Sequence, residues 1–315
     1  MAYNETLVKR WNAGIFLGKE KKIREYSVKI HNDNYSHLNK EQSRILNALR
    51  EDGYCVTHVD KLLNSEERVH FESILKLYEK MSASPEVLQR IRSINLQGTG
   101  GASEKPTEIN IQQHFLGRKP ILEDGLAQLY LTDSVLNILN SFYGQALKAY
   151  QFNAFVHPQI PHYLHRNNSQ RWHKDPEDMH VLKVFMYAND VDKNNGAFEY
   201  VRKTQTGGAQ GHLQEYRTRN RYPADGWVES HVSPDDIKTL TGKKGTIIFA
   251  DTSGFHRGGY VKEGIRHMCQ GVFLRPNTFH YSAHEPSKHN INNDEKKYDL
   301  SPLAEYAISH KFCED

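Results

Sequence analysis

Cysteine is scarce: the 315-residue chain has three, Cys55, Cys269 and Cys313. An odd number, so far apart, excludes a disulfide framework and a zinc knuckle, and predicts the reduced thiols of a cytoplasmic protein. Long apolar runs are missing too. None approaches the roughly 20 residues that span a bilayer, and the opening "MAYNETLVKRWNAG" lacks the hydrophobic stretch of a secretory signal. Neither sign of charge dominates: 41 Lys and Arg against 38 Asp and Glu leave +3. Bulk electrostatics therefore points neither to nucleic acid nor to a membrane surface. There is no internal repeat and no low-complexity tract. Hydrophobic residues are 37% of the chain and mean hydropathy is −0.73, which allows a sizeable core with wide polar loops. A small molecule is the expected partner, and nothing here specifies an oligomeric state.

The order of predicted elements argues for a fold class. Residues 1 to 36 are polar and basic and read as an arm or extra helix. "HLNKEQSRILNALREDGY" spaces Leu38, Ile45, Leu46 and Leu49 as a helix stopped by Gly53, and "YCVTHV" follows as a strand. "NSEERVHFESILKLYEKM" predicts a second helix with Asn64 as N-cap. Residues 97 to 120 read as a long functional loop, and "TDSVLNILNSFYG" as a helix closed by Gly144. Strand-like runs dominate thereafter: "ALKAYQFNAFV", "HVLKVFMYAND", "GAFEYV", "GTIIFAD" and "IRHMCQGVFLRP". Helices first and strands later disfavour a parallel βαβ sheet. A mainly β protein with flanking helices, its strands antiparallel in a jelly roll or barrel, suits the pattern. The polar tail from 285 to 315 carries no legible function.

The stretch "QRWHKDPEDMH", residues 170 to 180, holds two histidines and three acids. Residues i and i+2 of a strand share a face, which pairs His173 with Asp175. Pro176 then breaks the strand and turns Glu177, Asp178 and His180 away. A third ligand must come from elsewhere, and His256, in "TSGFHRGG" just past an apolar strand, is the best placed. Two histidines and one carboxylate form the facial set of non-haem Fe(II), with coordination positions left open; a structural zinc site would be closed by four ligands. Arg266 follows His256 by ten residues and could grip a carboxylate in a two-pronged fork. One short dicarboxylate could chelate the metal and reach Arg266, and 2-oxoglutarate meets that description.

With these residues in hand, the chain resembles the Fe(II)/2-oxoglutarate-dependent oxygenases, and within them the phytanoyl-CoA dioxygenase-like group. The likeness runs over residues 37 to 283 or so, through "LNKEQSRILNALREDGYCVTHV", "WHKDPED", "VFMYANDVDKNNGAFEYV" and "GTIIFADTSGFHRGG". It implies a double-stranded β-helix domain over 37 to 284, the arm at 1 to 36 and the tail at 285 to 315 lying outside it. It implies His173, Asp175 and His256 as iron ligands and Arg266 as partner of the cosubstrate's distal carboxylate. Gln151 or Asn153, and Phe185, match positions that line the cosubstrate pocket. The implied reaction consumes O2 and 2-oxoglutarate, yields succinate and carbon dioxide, and hydroxylates a C–H bond. Desaturation, cyclisation or epimerisation at the same iron, or a jelly roll that retains a metal without turnover, remain open. A zinc hydrolase with Glu177 as base is also conceivable, but gives Arg266 no task. The group's Pro-Gly-Ser-His turn is replaced here by "RKTQ" at 202 to 205, which bears on substrate contacts. The intact Asp175 disfavours halogenation. Trp172 is expected to wall the site, Lys183 to be a solvated edge residue with an inward-pointing side chain and a carboxylate partner as the alternative, and His162, His165 and His180 to be structural or substrate-facing. Residues 97 to 120 and 157 to 170 are expected to shape a mouth for a polar substrate.

Overall fold

The computed structural model describes residues 17–96, 109–110, 125–159, 168–213, 222–278, 299–309 and 311–313. Helix α1 (Leu17–Asn34) is followed by α2 (Lys40–Asp52), whose start and stop are both written in the sequence. Asn39 accepts from the Gln42 amide and the Gln42 side chain accepts from the Asn39 amide, each at 2.9 Å, a reciprocal cap. Gly53 ends the helix at φ 83°, a left-handed conformation that costs a residue with a Cβ about 1–2 kcal/mol. Strand β1 (Tyr54–His58) leads to α3 (Arg68–Ser82) and α4 (Pro85–Leu96). Asn64 caps the turn preceding α3, accepting from the Glu67 amide, and does not cap the helix itself. The two-residue β2 (Ile109–Asn110) and α5 (Asp133–Tyr143) complete the helical half.

Seven strands follow: β3 (Lys148–Pro158), β4 (Leu182–Tyr187), β5 (Phe198–Val201), β6 (Ile237–Leu240), β7 (Thr246–Asp251), β8 (His256–Arg257) and β9 (Ile265–Leu274). All pairings are antiparallel. The larger sheet has the order β1-β7-β4-β9-β3-β2 and the smaller β6-β5-β8. His173 adds a further rung to the smaller sheet at its β8 edge by bridging to His256. The result is the two-sheet jelly roll expected, a double-stranded β-helix with helices on one side and no closed barrel.

Strand alternation decides what faces the interior between the sheets. In β4, Leu182, Val184 and Met186 join the core shared with the helices, while Phe185 and Tyr187 join the cluster between the sheets. In β3, Phe152, Ala154 and Val156 belong to the helix-side core, so Gln151, Asn153 and Phe155 face the other way. Cross-strand register then makes rows on the inner face. One runs Gln151, Val272, Lys183, Ala250; the next runs Asn153, Gln270, Phe185, Ile248. A last helix, α6 (Pro302–Ile308), lies within the region read as a polar tail, and buries Leu303, Ala304, Tyr306, Ala307 and Ile308 in the helix-side core.

Candidate metal centre

His173 and His256 meet because their backbones pair. Each donates its amide to the other's carbonyl, at 3.1 and 3.0 Å. Directly opposed residues of an antiparallel pair carry their side chains on one face, and the two imidazoles stand with centroids 4.1 Å apart. Asp175 reaches the same point because its amide is held by the Thr252 carbonyl at 2.8 Å. Its Oδ1 lies 3.8 Å from His173 Nε2 and its Oδ2 3.4 Å from His256 Nε2. One donor atom from each of the three residues falls within 4.8 Å of the others, and all three residues are buried. Donors about 2.1 Å from a common ion lie about 3 Å apart, so only a small contraction is needed.

The remaining ring nitrogens are committed elsewhere. His173 Nδ1 is 2.8 Å from the Arg171 carbonyl and His256 Nδ1 is 3.0 Å from the Gly254 carbonyl. A carbonyl can only accept, so Nδ1 carries the proton in each neutral ring and Nε2 presents its lone pair. This is how metal-ligating histidines are oriented in general. Burial alone would raise the Asp175 carboxyl, but Lys183, His256 and His173 outweigh it and hold the group well below the ordinary carboxylate range.

Lys183 was expected at a solvated edge, with a carboxylate partner as the alternative, and the structure has the alternative. Strand β4 lies between β7 and β9, so it has no edge. The Lys183 side chain is 16% exposed and its Nζ lies 2.6 Å from Asp175 Oδ2. Trp172 is corrected. It packs with Val201, Val228, Val232 and Phe255, on the face opposite His173. There its indole donates to Glu229 at 2.8 Å and Arg257 lies over its ring at 4.1 Å.

The turn that delivers His256 is cross-linked from several sides. Asp251 accepts from the Val181 and Ser253 amides at 3.2 and 3.1 Å, and its other oxygen is 2.5 Å from His180 Nδ1. His180 is thus structural, with Phe142 and Tyr143 against its ring. Asp178 turns away to an ion pair with Arg275. In the "RKTQ" segment, the Thr204 hydroxyl accepts from the Phe255 amide at 2.8 Å and so fixes the residue before His256. Thr204 was not legible as a support of this site, and the carboxylate partner open to Lys183 was not named, because nothing in a single sequence pairs 204 with 255 or 183 with 175.

Arg266 is buried on β9 opposite His157 of β3. Its Nη2 lies 3.6 Å from where a Cβ on Gly258 would stand, which brings the guanidinium to the loop two residues past His256. It also faces Tyr187: burial pushes that phenol up to about 12, and the Arg266 charge acts in the opposite sense. Gln151 and Asn153 face the same interior, Asn153 fully buried. Phe185 is buried there too, 4.6 Å from the Phe198 ring. Tyr222, 5.7 Å from the His173 ring, is a neighbour the sequence did not suggest. His162, His165 and the loop at 97 to 108 and 111 to 120 lie outside the described residues.

No protein-family model matches the chain, and no curated protein does. Solved structures similar to it include the epimerase SnoN in complex with Fe3+, alpha ketoglutarate and nogalamycin RO: 13% identity, TM-score 0.47, covering 76% of this chain and 85% of that one. EctD from S. alaskensis with 2-oxoglutarate and 5-hydroxyectoine shares 15% identity at a TM-score of 0.49, over 77% and 79% of the two chains. HygX from Streptomyces hygroscopicus with nickel, 2-oxoglutarate and hygromycin B shares 18% at 0.45, over 76% and 88%.

Proposed function

We propose that the protein is an Fe(II)- and 2-oxoglutarate-dependent oxygenase that hydroxylates a C–H bond of a small, polar organic substrate. The observation that carries this reading is the buried set of His173, His256 and Asp175, with both Nδ1 atoms committed to carbonyls and both Nε2 atoms turned towards the carboxylate. Two neutral imidazoles and one carboxylate match the donor set of non-haem Fe(II). Among the described residues no fourth His, Cys, Asp or Glu joins the three, so the set is not closed in the manner of structural zinc. Iron held by His173, Asp175 and His256 with 2-oxoglutarate would supply O2-dependent decarboxylation, one oxygen atom going to succinate and the other to the hydroxylated C–H carbon, with carbon dioxide released.

The chain's own residues have three tasks. His173, Asp175 and His256 hold the metal, their orientation set by the backbone pairing before any ion arrives. Arg266 would hold the distal carboxylate of 2-oxoglutarate, for which a buried fork of N–H donors is suited. Asn153 or Gln151 lines the cosubstrate pocket. Phe185 and Phe198 keep water from one side of it, which strengthens every charge interaction inside.

The test is direct. Protein prepared without oxygen is mixed with Fe(II) and 2-oxoglutarate, air is admitted, and succinate is measured. Slow formation without substrate is expected, rising when a metabolite library contains the substrate. His173→Ala and Asp175→Ala should each abolish it. Wild-type protein that binds Fe(II) but never forms succinate would contradict the proposal.

A further inference from the structure

Among the described residues, Lys183 is a cation placed directly on a candidate metal ligand, and the iron reading gives it no task. Its neighbours across β4 are Ala250 on β7 and Val272 on β9, both apolar and buried. A lysine in such a row is costly unless its end finds a partner. Its Nζ meets Asp175 Oδ2 at 2.6 Å, with side chains 16% and 1% exposed. The same Oδ2 lies 3.4 Å from His256 Nε2, and the other oxygen, Oδ1, lies 3.8 Å from His173 Nε2.

A carboxylate can bind a metal through one oxygen or both. If Asp175 used both, it would take a coordination position that a facial set must leave open. From these contacts we infer that Lys183 is a positioning residue: it occupies Oδ2 of Asp175, leaves Oδ1 alone for the metal, and so keeps one more coordination position free for exchangeable ligands. It also sets a positive charge beside the ion, which lowers affinity for the cation. The inference rests on the metal reading above but not on turnover.

The experiment uses Mn(II) alone, which binds carboxylate and imidazole sites and reports its water ligands by magnetic resonance. Wild-type protein, Lys183→Met and Lys183→Arg are titrated with Mn(II), and the exchangeable waters on the bound ion are counted by line broadening in 17O-enriched water. Met keeps the length of the side chain without its charge, and Arg restores a donor. The expected result is one exchangeable water fewer in Lys183→Met than in wild type, with Mn(II) bound roughly three-fold or more tighter, and a wild-type count in Lys183→Arg. The same water count in Lys183→Met overturns the inference, as does loss of Mn(II) binding in that variant while wild type binds. Wild-type protein that takes up no Mn(II) would instead remove the metal site itself.

Discussion

At the scale of single residues, the site depends on which atom of each side chain is already spoken for. His173 and His256 point Nε2 inward because Nδ1 is held by carbonyls of their own segments, so a nearby acid is not what orients them. The spacing of His173, Asp175, His256 and Arg266 was legible in the sequence, since strand alternation and a glycine-rich turn are local features. The partner of Lys183 was not, since an inward lysine with some carboxylate was only the alternative reading and its pairing with Asp175 is a contact between segments. For Arg266 the expected outcome of Arg266→Ala is a 2-oxoglutarate affinity weakened about ten-fold or more, with metal binding retained; isothermal titration of the Mn(II)-loaded protein measures it. His267 offers a pH test away from the site. It stacks on Tyr78 at 4.7 Å and its Nε2 is 3.2 Å from Ser82 Oγ. Burial, with His157 adding to it, lowers its pKa from 6.5 to about 4. A histidine depressed on folding favours the folded state above pH 6.5 and loses that contribution as pH falls towards 4. The unfolding free energy measured in urea should therefore drop over that window by on the order of 3 kcal/mol, and less in His267→Gln.

At the scale of elements, most of what could be read was capped or alternating. Helix α2 announced itself through Asn39, Gln42 and Gly53, and the five strands of the β-rich half all formed. Helix α4 was not among the expected helices although Val87, Leu88, Ile91 and Ile94 carry a helical spacing, and β6 and β8 escaped because they are four and two residues long. Pairing, not local preference, makes strands of that size. Gly53 joins an element to the site: its carbonyl accepts from the Asp251 amide at 2.8 Å, and a Cβ there would collide with the Tyr200 hydroxyl and Gln205. Gly53→Ala should cost on the order of 2–3 kcal/mol in urea unfolding, from the left-handed backbone and the clash together. Lys148 ties α6 to β3. Its buried Nζ donates to the carbonyls of Tyr306, Ser309 and Lys311 at 2.5, 3.1 and 2.8 Å. Lys148→Met strands those carbonyls, and the amides of 303 to 309 should then exchange with deuterium at least about ten-fold faster than in wild type.

At the scale of the whole molecule, the larger sheet is a plate with two jobs. Its outer face packs the helices, including Leu303 to Ile308 from near the carboxyl end. Its inner face carries Asn153, Lys183, Phe185 and Arg266 towards the smaller sheet that bears His173 and His256. Element order alone left a jelly roll or a barrel open, and the family resemblance pointed to the jelly roll. That residues near both ends of the described chain pack together, with the Tyr26 and Tyr306 rings 5.8 Å apart, was not foreseen, because long-range packing leaves no local trace. No described helix is long and apolar enough to cross a membrane. Because the ligands come from segments about eighty residues apart, metal binding should stabilise the fold as a unit. At 100 times its dissociation constant an ion adds about 2.7 kcal/mol, so Mn(II) should raise the melting temperature by several degrees in wild type and by nothing in His256→Ala.

The central claim is that three side chains from two segments hold one ferrous ion. Equilibrium dialysis against Fe(II) without oxygen tests it most directly. The account predicts one ion per wild-type chain, and loss of that ion in His173→Ala, Asp175→Ala and His256→Ala alike. Iron uptake that survives all three substitutions in folded protein would contradict it.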